Sequence, residues 1–157
     1  MHNPFRLLSL LLKARRPSRI DDMVALADGF WLRKGYEALT FFGFIVTHSA
    51  AEAKVINGRP SALKNHEMIH LRQAQSTANS WTQFYVRYLW YSLLALAYCR
   101  RLKNAAYLLN PFEMEAYDNM YDAHYLDSCR EKGTDGWRRF ARMRLSERLD
   151  YYNKRLR

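Results

Sequence analysis

His66-Glu67-Met68-Ile69-His70 constrains this chain more than any other stretch, because two imidazoles four residues apart face one ion only if the segment is an α-helix. Zn²⁺ takes nitrogen or oxygen ligands in a tetrahedral shell with one position left for water. Glu67 then stands where a general base must stand to take that water's proton. The pattern predicts a metallopeptidase-type helix with His66 and His70 as metal ligands and Glu67 as the base.

The surroundings suit such a helix. Asn57-Gly58 is a turn signal, Pro60 fits the first helical turn, and no Gly or Pro interrupts Ser61 to Ser80. Leu63, Ile69, Leu71 and Ala74 can pack inward near the histidines. The plainer alternative is a buried helix whose histidines are satisfied by hydrogen bonds. Carboxylates downstream weigh against it: Asn110-Pro111-Phe112-Glu113-Met114-Glu115-Ala116-Tyr117-Asp118 opens a second helix, with Pro at its start and acids in its first turns. Acids there also suit the helix dipole, so a capping role for one of them is open.

The Phe-Glu-x-Glu-Ala run after an HExxH helix resembles the third-ligand helix of gluzincin metallopeptidases of the CAAX-prenyl-protease type, whose ligand is the Glu of Glu-x-x-Ala-Asp. The resemblance implies Glu113 as third zinc ligand, Ala116 at the Ala, and Tyr117 where the family has Asp. That Asp orients a zinc-bound histidine, so either Asp118 substitutes or another group does the orienting. A closer resemblance is to short, uncharacterised bacterial zincin-like proteins carrying Asn-His-Glu-x-x-His-x-Arg-Gln and Phe-Glu-x-Glu-Ala-Tyr. Here these are Asn65 to Gln73 and Phe112 to Tyr117, and the likeness spans roughly residues 27 to 126. It implies a zincin-like fold and metal site more directly than any substrate.

Glu113 and Glu115 lie roughly 200° apart round a helix, so only one of them can face the ion. The family match favours Glu113, with Tyr117 one turn on along the same face. Tyr117 is then the candidate oxyanion donor, with Tyr121 and His124 on nearby faces and a packing role open for all three. Glu115 would face away, capping or pairing with a basic neighbour.

At 157 residues and 49% apolar, the chain suits one domain with one core. Cys99 and Cys129 make neither a disulfide framework nor a Cys-x-x-Cys ligand pair. The net charge of +10 is carried by two arms. Residues 1 to 20, Leu-rich, have five basic residues and no acid; residues 134 to 157 have eight basic against three acidic; residues 21 to 133, the expected zincin-like domain, have twelve of each. The greasy run Phe5 to Leu12 is too short to span a bilayer, and without a small-residue cleavage site it does not read as a secretion signal. In the C-terminal arm Trp137, Phe140, Ala141, Leu145, Leu149, Tyr152 and Leu156 recur at helical spacing, with Arg138, Arg139, Arg142, Arg144 and Arg148 mostly on the remaining surface. This basic amphipathic helix fits ordinary packing, or contact with an anionic membrane surface. Nucleic acid is not the expected partner, for no binding motif of that kind is present.

Trp81 to Arg101 reads as a buried core helix, with monotopic membrane insertion and a snorkelling Arg87 as the alternative. Gly29 to Tyr36 and Leu39 to Thr47 read as two strands of a small hairpin. By resemblance the second is the edge strand that would pair with substrate backbone, and His48 at its end suits the surface. The expected whole is an α+β, mainly helical, zincin-like metallopeptidase core with a small β-hairpin and an HExxH helix. It would hydrolyse a peptide bond in a peptide or protein substrate through a zinc-bound water. A non-catalytic zinc-stabilised module whose basic arms bind membrane or an acidic partner is the alternative. The expected location is the cytoplasm, with peripheral attachment at the inner face of the membrane.

Overall fold

Phe42 and Gly43 both take positive φ, 44° and 95°, which is the backbone of a two-residue hairpin turn. In the computed structural model, which describes residues 14–19, 25–27, 37–102, 104–129 and 132–155, this turn joins β2 (Ala38–Phe41) to β3 (Phe44–Thr47), preceded by β1 (Ala25–Ala27). The stretch Leu39 to Thr47 is therefore a hairpin and not one strand. A non-glycine residue at positive φ gives no turn signal, which is why the break was hidden. The other expected strand, Gly29 to Tyr36, lies outside the described residues, as does the Leu-rich run Phe5 to Leu12.

β3 is the middle of the sheet, in the order β1-β3-β2, parallel to β1 and antiparallel to β2 with Thr40 opposite Ile45. Every residue of β3 is buried. Arg15 straps the hairpin tip: its backbone N–H donates to the Phe42 carbonyl, its carbonyl accepts from the Trp81 indole, and its guanidinium lies over the Phe44 ring. A Cβ on Gly43 would stand 3.0 Å from the Arg15 Cβ, so both the φ and the strap call for glycine there.

Among the described residues seven α-helices follow: α1 (Ala50–Gly58), α2 (Ala62–Ser76), α3 (Trp81–Tyr98), α4 (Ala105–Leu108), α5 (Pro111–Asn119), α6 (Trp137–Arg142) and α7 (Leu145–Arg155). Among the described residues the chain is thus mainly helical with a small sheet, an α+β arrangement. Ser49 and Glu52 form a capping box that starts α1, so Asn57-Gly58 ends a helix and does not merely turn the chain. Ser61 caps α2 through the Lys64 N–H, leaving Pro60 just outside it. The core gathers Ile45 and Ala38 of the sheet, Met68 and Leu71 of α2, Phe84 of α3, Phe112 of α5 and Trp137 of α6.

Two helical expectations change. α3 is not buried: its inward face carries Trp81, Phe84 and Ala95, while Val86, Leu89, Trp90, Leu93 and Leu96 are exposed. An apolar helix does not say in its sequence which of its faces the rest of the chain covers. The C-terminal run is two helices, broken at Met143, whose ψ of 143° is extended, with the Arg144 N–H bonded to the Glu147 carboxylate. It packs as part of the body: the Trp137 and Phe112 rings lie 4.6 Å apart. Arg148, expected on the surface, is buried and donates to the carbonyls of Phe140, Ala141 and Leu109.

Candidate metal centre

α2 and α5 cross so that the face bearing His66 and His70 meets the first turns of α5. Two asparagines fix the approach. The Asn65 side-chain amide donates to the carbonyls of Asn119, Met120 and Asp122 where α5 ends. Asn110, fully buried, caps α5 through the Phe112 N–H and donates to the Tyr88 carbonyl and Ser92 hydroxyl of α3. The helix carrying the carboxylates is therefore held at both ends.

Between these anchors His66, His70 and Glu113 converge, all buried, with ligand atoms within 4.8 Å of one another. His66 Nε2 and His70 Nε2 are 3.1 Å apart, and each lies 3.3 Å from one oxygen of Glu113. A tetrahedral shell with bonds of roughly 2.0–2.1 Å has edges of roughly 3.3–3.4 Å, and the two nitrogens approach that spacing between themselves and each from a different Glu113 oxygen. His66 Nδ1 and Glu113 Oε2 are buried without a hydrogen-bond partner. A cation among these atoms would satisfy the carboxylate oxygen, and the donor set suits a borderline metal. The group could hold a metal ion.

The electrostatics point the same way. Burial works against a charge on His70, yet the adjacent Glu113 carboxylate, the Glu67 charge and the Gln73 acceptor outweigh it and raise His70 to about 9. Burial likewise works against ionised Glu113, and the two histidines overcome it, holding the carboxyl well below the usual range. The centre is built around positive charge, which a proton supplies in the metal-free chain and a divalent ion could supply in its place.

Around the triad, His70 Nδ1 meets Gln73 Oε1 at 2.8 Å, which presents Nε2 to the centre. Asp118 does not orient a histidine: it accepts from Tyr151 and Arg155 of α7. Tyr88 of α3 donates to Glu113 Oε1 at 2.6 Å. Gln73 stands in the quoted motif and Tyr88 in the aromatic helix, but neither shows its role in sequence because each depends on how two helices meet. Glu67 is buried, with the Thr40 hydroxyl 2.7 Å from its Oε2 and 3.2 Å from its own carbonyl. β2, which carries Thr40, is one edge of the sheet among the described residues, and this places an edge strand beside the HExxH helix.

Tyr117 lies at the centre, its ring 4.7 Å from that of His66 and its hydroxyl 2.9 Å from that of Tyr107. Tyr121 and His124 do not come to the site. α5 ends at Asn119; Tyr121 is 80% exposed, and His124 is exposed and paired with Asp127. His48 is exposed at the end of β3. Glu115 faces away from the histidines, fully buried, and its partners among the described residues are neutral donors rather than a base. Gln73 Nε2 and the Trp137 N–H donate to Oε2, and the Tyr125 and Thr134 hydroxyls to Oε1.

Comparison with known protein families, with curated proteins and with solved structures finds no match.

Proposed function

We propose that this chain is a zinc-dependent hydrolase of the metallopeptidase kind, cutting a peptide bond in a peptide or protein, with His66, His70 and Glu113 on the metal and Glu67 as general base. The observation that carries the proposal is the convergence of both HExxH histidines with a buried carboxylate, their ligand atoms within 4.8 Å of one another. The motif resemblance to gluzincins supports it, including the choice of Glu113. Zinc in such a site supplies Lewis acidity, polarising a carbonyl and bringing the pKa of water toward about 7.

The chain's own groups supply the rest. Thr40 gives its single proton to Glu67 Oε2, the shorter contact, and so leaves Oε1 to accept a proton from the attacking water and return it to the departing amine. Tyr88 holds Glu113 and Gln73 holds His70, so the ligands keep their orientation between turnovers. Tyr117, already against His66, is the candidate donor to the developing oxyanion, its hydroxyl passing from Tyr107 to the substrate oxygen.

One observation favours a second reading, a non-catalytic module in which zinc only stabilises the fold: the ligands are nearly closed off, with His66 4% and Glu113 3% exposed. The deciding experiment is zinc analysis followed by a peptide-library assay. The purified chain should carry close to one zinc, lost in His66→Ala and His70→Ala. Glu67→Gln should keep the zinc and lose cleavage. A chain that refuses added zinc refutes both readings, and cleavage absent in the wild type, or equal in Glu67→Gln, leaves the module.

A further inference from the structure

Large exposed apolar residues are ordinary when scattered and informative when they share a face. Of nine such residues among those described, six lie on α3: Val86, Leu89, Trp90, Leu93, Leu96 and Tyr98. The first five recur at helical spacing and, with exposed Ala97, form one stripe about 17 Å long. Phe84, Tyr88 and Ala95 lie on the opposite side, where Tyr88 holds Glu113 and the Phe84 ring stands 6.4 Å from that of His70. One helix therefore backs the candidate metal centre with its inner face and, among the described residues, turns an exposed apolar stripe outward.

The charge around the stripe says what would cover it. From Trp81 to Phe112 there is no acidic residue, while Arg87, Arg100, Arg101 and Lys103 are basic. Arg87 folds back onto Gln83, and Arg100 and Arg101 are exposed just beyond the end of the stripe. Two copies packed stripe to stripe would bring these arginines together if parallel and would set Arg100 and Arg101 of each toward the other's Arg87 if antiparallel, with no acid on the helix to offset them, which costs energy. An anionic lipid surface answers both properties: acyl chains take the leucines, headgroup phosphates take the arginines, and Trp90 and Tyr98 suit the boundary between them. No described helix is long and apolar enough to cross a membrane, so the helix would lie in the surface.

We infer that the outer face of α3 docks this protein on an anionic membrane, with the metal centre about one helix diameter, roughly 10 Å, above the lipid. The docking itself does not depend on zinc. That the substrate is then a membrane-proximal peptide segment rests on the hydrolase reading.

The test uses the full chain and sedimentation with phosphatidylcholine vesicles, with and without phosphatidylserine. Binding should require phosphatidylserine, weaken with salt, and fall at least tenfold in Leu89→Glu/Leu93→Glu. Because both sites are exposed, the double variant should unfold at the wild-type temperature. As a second measure, brominated lipid should quench the wild-type fluorescence, and Trp90→Phe should lose that quenching while still binding. Unchanged partition of the double variant, or quenching that survives Trp90→Phe, overturns the inference. So does a loss of binding on deleting residues 1 to 13 with the stripe intact. So does a concentration-dependent dimer, without vesicle binding, that the double variant dissolves. His70→Ala should bind vesicles like the wild type, so failure of the zinc reading would leave this result standing.

Discussion

Glu113 and Glu115 sit two residues apart on one short helix, both buried, and the chain satisfies them by opposite means. Glu113 faces His66 and His70, and Tyr88 donates to it. Among the described residues Glu115 faces four neutral donors, from α2, α6 and the segment leading into α6, and no cation. A carboxylate surrounded by complete hydrogen bonds is a fixed part of the structure. One that keeps a buried oxygen without a hydrogen bond, beside two imidazoles, could take an ion. The pair thus separates the stabilising half of the interior from the half that could bind metal.

The sharpest way to break this contrast is to remove Glu115. Glu115→Ala strands the Gln73 amide, the Trp137 N–H and two hydroxyls in a dry interior, so unfolding free energy should drop by about 4 kcal/mol and the melting temperature by roughly 10 °C. Calorimetry of the metal-free chain would measure it. A change within 1 °C would mean that the donors find water, and the contrast would lose its structural arm.

Glu113→Gln addresses the other arm. It removes the charged ligand while keeping the volume, so zinc affinity should fall on the order of a hundredfold or more, whereas metal-free stability should change far less than in Glu115→Ala. Competition with a zinc-sensitive dye reads the first quantity and thermal melting the second. If Glu115→Gln weakens zinc binding more than Glu113→Gln does, the assignment of the two carboxylates is reversed.

How much of this was legible in sequence depends on whether a feature is local. The helical register that sets His66 and His70 on one face is local, whereas Glu113 is implied by the motif resemblance and reaches them only because its helix meets theirs. The 200° between Glu113 and Glu115 is local too, and it puts them on different sides. The hairpin was half-hidden because Phe42, and not a Gly or Asn, takes the first left-handed position. The exposed face of α3 was illegible because burial depends on what packs against a helix. Tyr88, Thr40 and the four donors to Glu115 come from elements far apart in the chain, and no periodicity announces such meetings. The break at Met143 carries no Gly or Pro, so the apolar repeat ran straight through it.

Gln73 is where the two halves touch, and it offers the smallest and most discriminating effect. Its Oε1 faces His70 Nδ1, while its Nε2 donates to Glu115 Oε2 and to the Phe112 carbonyl. Because the amide nitrogen is committed to two acceptors, the oxygen must turn toward His70, and it can only accept there. His70 Nδ1 therefore carries hydrogen, and Nε2 is left with its lone pair toward the centre when the ring is neutral. Gln73→Leu keeps the approximate volume but removes this choice, so zinc affinity should weaken by about tenfold, within the range for groups that orient a ligand. Gln73→Glu keeps an acceptor for His70 yet sets a carboxylate against Glu115, so it should hold zinc more tightly than Gln73→Leu while melting lower than the wild type. Measured together, affinity and melting temperature separate the two tasks of one side chain. If both variants lose stability in proportion to affinity, Gln73 is only a packing residue, and the orientation of His70 must come from the helix itself.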